Sequence, residues 1–319
     1  MRKIDIIHII HKFFIWVDMD SDALLTFLKV HRAGGITRAA DELGRTQPAI
    51  SRRMALLETE LGMPLFERTR EGMVLSQAGE VLVPYAEQIN ALLADATDAM
   101  GTFLSDKAGA VSLVVVGTLA GASLGTVLKG FSRSCPLADL SLRTATSDEV
   151  SEQVRRGDAA IGLRYFDERA PDLETVPVGS ENLAVVCAPA HPLAGKDVKS
   201  LRDLESEHWL SFPNHFERRE ASAETLFAQF LVRGAPSIDW SPVDSLTAQK
   251  RLIEAGYGLG FLPTASIEEE LRVGSLSLIE VADLNVGNPI FAVVRKKAFL
   301  SGATCELLAL LIAEFGGKA

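Results

Sequence analysis

The sequence predicts a protein of α plus α/β class: a winged helix-turn-helix head, one long linker helix and a two-lobed α/β body. Three observations carry this. Two short helical stretches joined at a glycine occupy residues 36–60. An apolar seam with 3-4 spacing runs from Leu82 to Phe103. From Val111 onward, apolar strand signals alternate with helical ones, as in parallel, helix-covered sheets.

The first 18 residues stand outside this plan. Arg2 and Lys3 before an apolar run resemble a secretion signal, but Asp5, His8, His11 and Lys12 interrupt the run and no small-x-small site follows. The stretch is too short and too polar to span a bilayer. His8 and His11 have no carboxylate or thiol to complete a metal site. The expectation is an extension upstream of a start at Met19.

A first helix at residues 20–33 places Leu24, Phe27, Leu28 and His31 on one face. In the next, Thr37 is the expected N-cap, Ala39 and Ala40 are small, and Gly44 supplies the left-handed residue that ends it. Thr46 is a second N-cap candidate, and Pro48 fits the first turn because its missing N–H bonds nothing there. Ile50, Met54, Leu57 and Leu61 recur at helical spacing and form a buried stripe. Gln47, Pro48, Ser51 and Arg52 fall on another face at the N-terminal end, where helix-turn-helix proteins meet base edges. The bland alternative is a pair of ordinary core helices, for which that polar face is unusual. The expected small core is Leu24, Phe27, Leu28, Ala39, Leu43, Ile50 and Leu57.

After this pair, Leu65 and Phe66 pack on the core, residues 68–72 form a hairpin tip and Val74-Leu75 return from it. A basic hairpin in that place suits phosphates or the minor groove; the alternative is a surface loop with exposed arginines. Ser76 then caps a long helix to about Leu104. Its seam is Leu82, Tyr85, Ile89, Leu92, Ala96, Ala99 and Phe103, and Pro84 marks a place to bend. Such a helix needs a partner, most simply its own copy. Residues 105–110 are the linker to the body.

The 319 residues are 47% hydrophobic and 23% charged, which describes a folded chain with ample core. The net charge of −10 looks wrong for a nucleic-acid binder until it is located. Between Lys29 and Arg70 there are eight basic residues and five acidic ones, so the head is locally positive and the acidity lies downstream. Cys135, Cys187 and Cys305 are sparse and widely spaced, which suits buried thiols in a reducing cytoplasm.

In the body the strand candidates cover residues 111–117, 140–145, 159–163, 183–189, 238–243, 259–263 and 290–295. Helices are expected at 124–133, 148–156, 222–233 and 247–255, with a terminal helix at 304–315. Two lobes with a cleft between them are a small-molecule site by default, because strand ends and helix N-termini converge there. The glycines of GYGLG (Gly256, Gly258, Gly260) lie between a helix and a strand, the wrong order for a dinucleotide loop. No phosphate loop, nucleophile elbow or metal-spaced His/Cys cluster is present, so no metal, cofactor or enzyme activity is expected.

The motifs AADEL, QPAIS, LE-x-x-LG, LFERT and LS-x-AG follow one another over about 65 residues. In this order the chain resembles the LysR-type transcriptional regulators, from Asp20 to about Phe315. The resemblance implies a winged helix-turn-helix (residues 19–76), a dimerising linker helix (77–106) and an effector domain of periplasmic-binding-protein type (107–319). Lobe I of that domain would comprise 107–180 and 266–319, and lobe II 181–265. It further implies homotetramers built as dimers of dimers, on double-stranded operator DNA whose bending a small effector changes, with RNA polymerase as a further partner. The place is the cytoplasm, with no membrane. Gly35 departs from the pattern, where serine is usual, and leaves one phosphate contact without its hydroxyl.

Carried over by position, Gln47, Pro48, Ser51 and Arg52 would read the major groove, while Thr37, Thr46 and Arg68 would hold phosphates. The dimerising seam would use Leu82, Tyr85, Ile89, Leu92, Ala96 and Phe103. An anionic effector would meet Thr118, Ser123, Thr146, Ser147, Arg164, Phe212 and Ser245, with helix N–H groups and the Arg164 guanidinium supplying the charge. Singly, each serine or threonine is better explained as a helix cap, and only their clustering favours a site. Peroxide-sensing relatives use a cysteine pair in lobe II, which here holds only Cys187, so no redox switch is expected. A solute-binding transport protein, which the α/β half alone would suit, is the alternative function.

Overall fold

The computed structural model describes residues 19–69, 72–102, 108–167, 170–212 and 221–316. The expected N-terminal extension, the hairpin tip at Arg70 and Glu71, and Phe103 lie outside them. The chain divides into two compact units, residues 1–94 and 95–319.

In the first unit, α1 (Ser21–Ala33), α2 (Ile36–Glu42) and α3 (Gln47–Leu61) enclose a core of Leu24, Phe27, Leu28, Ala39, Ile50, Met54 and Leu57. Asp20 caps α1 by accepting from the Ala23 N–H at 2.6 Å. Gly34 ends α1 in the left-handed conformation and Gly35 is already the N-cap of α2, so Thr37 lies inside the helix and is not its cap. The tight Gly-Gly turn starts α2 earlier than the threonine signal suggested. Thr46 does occupy the N-cap of α3, but its hydroxyl makes no capping bond.

The strands β1 (Phe66–Thr69) and β2 (Gly72–Leu75) pair antiparallel, with Arg68 opposite Met73 and Thr69 opposite Gly72. Two side chains attach this wing. Glu58 of α3 accepts the N–H groups of Leu65 (2.8 Å) and Phe66 (3.3 Å). Ser76 donates its hydroxyl to the Pro64 carbonyl at 2.7 Å and accepts the Gly79 N–H at 3.1 Å, which starts α4 (Gln77–Thr102). Gly79 packs so closely on the wing that a Cβ there would lie 2.2 Å from the Leu65 carbonyl oxygen.

α4 corrects the reading of its seam. Leu82 and Ile89 pack against the head core, beside the fully buried Ala86. Tyr85, Leu92 and Ala96 are exposed, and Val81 and Met100 continue that stripe. One stripe of the 3-4 pattern serves the helix's own unit, and the neighbouring stripe faces outward.

The second unit holds two sheets that share one strand. β3 (Ala108–Val116) pairs parallel with β4 (Leu137–Ala145) and β5 (Ile161–Tyr165), and β12 (Gly287–Arg295) closes this sheet antiparallel to β5. α5 (Ala122–Ser134), α6 (Ser147–Arg156) and α10 (Gly302–Gly316) cover it, and Leu307, Leu311 and Phe315 enter its core. The 15-residue β6 (Leu173–Cys187) pairs with β12 along its first part. Its last part pairs with β10 (Leu259–Pro263) and β11 (Ser277–Val281) of the second lobe. There β8 (His208–Ser211) lies parallel to both β10 and β9 (Asp239–Pro242), and β11 also carries the short β7 (Asp197–Val198). The helices α7 (Ala221–Val232), α8 (Leu246–Glu254) and α9 (Glu268–Val273) complete the lobe. Both sheets are therefore mixed, not parallel throughout. Since β11 pairs with the lobe II end of β6, the chain returns to lobe I after β11, beyond the expected 266.

The close approach at Gly79 generates a first prediction. Gly79→Ala should lower the thermal unfolding midpoint of the head by several degrees, at a cost of about 1–3 kcal/mol, because the carbonyl it strikes is backbone and cannot rotate away. An unchanged midpoint would show that the junction of wing and α4 is looser than described.

Candidate functional site

Two places gather the residues singled out in the sequence. The first is the N-terminal end of α3. Thr37, Thr46, Gln47, Pro48, Ser51 and Arg52 are all exposed, while Ile50 and Met54 on the same helix are buried. The amphipathic register thus turns one face into the core and offers the other to solvent.

The charges of the head sort themselves around this face. Asp22 accepts a two-pronged bond from Arg45 at 2.8 and 2.9 Å, and the Arg45 guanidinium holds its carboxyl below the ordinary range. Arg53 pairs with Asp20 at 3.1 Å and also with Asp22. Lys29 pairs with Glu42, and Arg32 with Glu87. A count begun at Lys29 misses Asp20 and Asp22, which neutralise two of its arginines. Among the described residues Arg38 and Arg52 make no ion pair, so their charges stay available. Arg68 lies in β1 opposite Met73.

The second place is a cleft of about 1050 Å³ in the C-terminal unit. Thr118, Thr146, Ser147, Phe212 and Ser245 line it as expected; Ser123 and Arg164 do not. Four helix N-termini open on it: Gly121 for α5, Thr146 for α6, Ser245 for α8, and the acidic first turn of α9, Glu268 to Glu270. Thr146 forms a capping box with Glu149, whose carboxylate accepts both the backbone N–H and the hydroxyl of Thr146 at 3.0 Å. That end of α6 already carries an anion of its own. Ser245 accepts from the Ala248 N–H at 3.4 Å. Only α5 begins with neither a side-chain cap nor an acidic first turn.

Arg164 is buried behind the cleft. It donates to the Tyr165 carbonyl at 2.9 Å and to the Ser151 hydroxyl, and its remaining nitrogen lies near Asp148. Successive strand residues point to opposite faces, so its neighbour Tyr165 takes the cleft side. The cations that do line the cleft are Lys250 and Arg272, and each is already paired, with Glu270 and Glu269 at 2.7 and 2.6 Å. The anionic effector expected from the sequence therefore loses its guanidinium partner and retains the helix N-termini.

The floor of the cleft holds a relay that the sequence did not disclose. The Thr118 hydroxyl lies 2.7 Å from the Tyr165 hydroxyl, and Tyr165 in turn donates to Glu181 of β6. Burial pushes the Tyr165 phenol well above its ordinary range, and the Glu181 charge adds to this. Burial also raises the Glu181 carboxyl from its ordinary 4.5 to about 7, although the bond from Tyr165 acts against the rise.

A raised carboxyl adds stability below its unfolded value and loses it as pH rises through the folded one. Glu181→Gln removes the cost of the buried charge while keeping an acceptor for Tyr165. It should stabilise the C-terminal unit by on the order of 2 kcal/mol at alkaline pH, with the gain fading as pH falls from about 7 to about 4.5. Urea unfolding followed by Trp209 and Trp240 fluorescence measures this, and a gain independent of pH would remove Glu181 as its source.

The two places fall in two segments with known counterparts. Residues 21–80 match the family described as bacterial regulatory helix-turn-helix protein, lysR family, and residues 105–316 match the LysR substrate binding domain. The HTH-type transcriptional regulator TcbR of a Pseudomonas species is 30% identical over 281 residues, covering 88% of this chain and 94% of that protein. The regulator CfxR of Cupriavidus necator is 28% identical over 269 residues, with 84% and 81% covered. The crystal structure of CbnR, a LysR family transcriptional regulator, superposes with a TM-score of 0.68 at 26% identity over 93% of this chain and 99% of that one. Full-length CbnR complexed with its target DNA gives a TM-score of 0.65 at 28% identity, over 94% and 100%. With both of its units matched in order, this chain belongs to the LysR family of transcriptional regulators.

Proposed function

We propose that this regulator reads operator DNA with the exposed N-terminal face of α3 and that a small molecule in the C-terminal cleft adjusts the binding. The observation that carries the reading is the face itself: Gln47, Pro48 and Ser51 stand exposed beside Arg52, which makes no ion pair among the described residues, over a helix whose Ile50, Met54 and Leu57 are buried. Gln47 suits an adenine edge, Pro48 a thymine methyl and Arg52 a guanine or phosphate. Thr37, Thr46, Arg38 and the wing residue Arg68 supply phosphate contacts. CbnR, bound to its target DNA in a structure of the same fold, supports this assignment.

The exposed stripe of α4 supports assembly as a dimer, and pairs of dimers would make the family's tetramer, with RNA polymerase a further partner at the promoter. Among the described residues no helix is long and apolar enough to cross a membrane, and no group of three His, Cys, Asp or Glu could hold a metal. The reading places the protein in the cytoplasm as a regulator without cofactor or enzyme activity. The relatives named above are regulators, and none favours the transport alternative.

Gel shift on the DNA flanking the protein's own gene tests the reading. Arg52→Ala should weaken specific binding by about 1–3 kcal/mol and leave the weak non-specific binding nearly intact. Equal affinity would remove Arg52 from the base-reading set, and absence of any specific complex from the wild-type protein would overturn the reading. Leu92→Glu, at an exposed position, should reduce the assembly to smaller species in light scattering without loss of helix content. An unchanged mass would move the interface elsewhere.

A further inference from the structure

Hydrogen-bond counting on the cleft floor fixes more than the presence of a polar group. A phenol and an alcohol each have one proton to give. With Glu181 ionised, above about pH 7, Tyr165 directs its proton to it, since an ionised carboxylate can only accept. The 2.7 Å bond between Thr118 and Tyr165 must then be made with the Thr118 proton. The hydrogen-bonding capacity left on Thr118, a residue lining the cleft, is that of an acceptor.

We propose that Glu181 is a positioning residue that, acting through Tyr165, fixes Thr118 as an acceptor, so that the effector group meeting Thr118 is a hydrogen-bond donor, a hydroxyl or an ammonium, and not a carboxylate. This rests on the reading of the cleft as the effector site. The charges of the lining agree with it. Glu149, Asp244, Glu268, Glu269 and Glu270 face only Lys250 and Arg272, both already paired.

The arrangement has a defined reversal. Protonated from solvent, Glu181 turns its new O–H toward Tyr165, the phenolic proton swings to Thr118, and the Thr118 hydroxyl turns its own proton to the cleft. No bond is made or broken beyond the proton taken up. Around Glu181, β5 contributes Tyr165 as the only titratable group bonded to it among the described residues. β12 places the neutral Asn288 opposite it, and Thr264, after β10, bonds the carbonyl of the adjacent Asn182. No lysine or arginine among the described residues is paired with Glu181.

Neutron diffraction from crystals of the deuterated full-length protein, at about pH 9 and about pH 5, reads the proton positions on either side of the Glu181 midpoint. At the higher pH the Tyr165 deuterium should lie toward Glu181 and the Thr118 deuterium toward Tyr165; at the lower pH both should turn the other way. In Glu181→Met, which removes the acceptor, the reversed arrangement should persist at both values. A Tyr165 deuterium directed at Thr118 in the wild-type protein at about pH 9, or an arrangement in Glu181→Met that matches the wild type there, overturns the proposal. Failure here would leave specific DNA binding intact in gel shift, whereas failure of the regulator reading would abolish that binding and leave the proton positions as described.

Discussion

β6 is one strand serving two sheets, and the effector domain depends on that sharing. Its first part is held by β12 and its last by β10 and β11, so each lobe is built around a segment whose direction the other lobe also fixes. The cleft lies where the strand passes from one set of partners to the other, and Glu181 stands at that passage, opposite Asn288 and one residue before Asn182. A carboxylate there is drawn into low dielectric by the backbone path, and among the described residues it has no cation beside it and is compensated by the Tyr165 hydroxyl. The unusual chemistry of the cleft floor is thus a consequence of topology.

The head shows the same economy with charge. Asp20 caps α1 and also holds Arg53, and Asp22 holds both Arg45 and Arg53, so arginines that support the fold are spent on carboxylates of the first turn. Among the described residues Arg38 and Arg52 remain unpaired, and these are the cations that the proposed contacts to DNA phosphates and bases would use. Surface ion pairs of this kind contribute little stability one by one. Their larger effect is on which arginines of the helix pair stay unpaired, Arg38 of α2 and Arg52 of α3.

How far the chain was legible follows from periodicity. The buried face of α3 was legible, because Ile50, Met54 and Leu57 are buried in a 3.6-residue rhythm and the polar face is what remains, whereas the start of α2 was not, since the glycine turn and not Thr37 begins it. The α4 seam was legible as a pattern and mixed as an interface, since Leu82 and Ile89 turn to their own core while Tyr85 and Leu92 face out. In β5 all five residues are buried, so alternation carried no signal and Arg164 was chosen where Tyr165 faces the cleft. Glu181 could not be found from the sequence at all. Its partner lies across the sheet, and nothing local distinguishes it from a solvent-facing glutamate at a strand end.

The central claim is that the exposed face of α3 is half of a symmetric DNA reader. Hydroxyl-radical footprinting of the full-length protein on its own upstream DNA tests it most directly. The account predicts paired protections on one face of the duplex, with centres separated by about 10 base pairs or a multiple of that spacing, as two copies of the recognition helix require. A single unpaired patch, or uniform protection without phase, would contradict it.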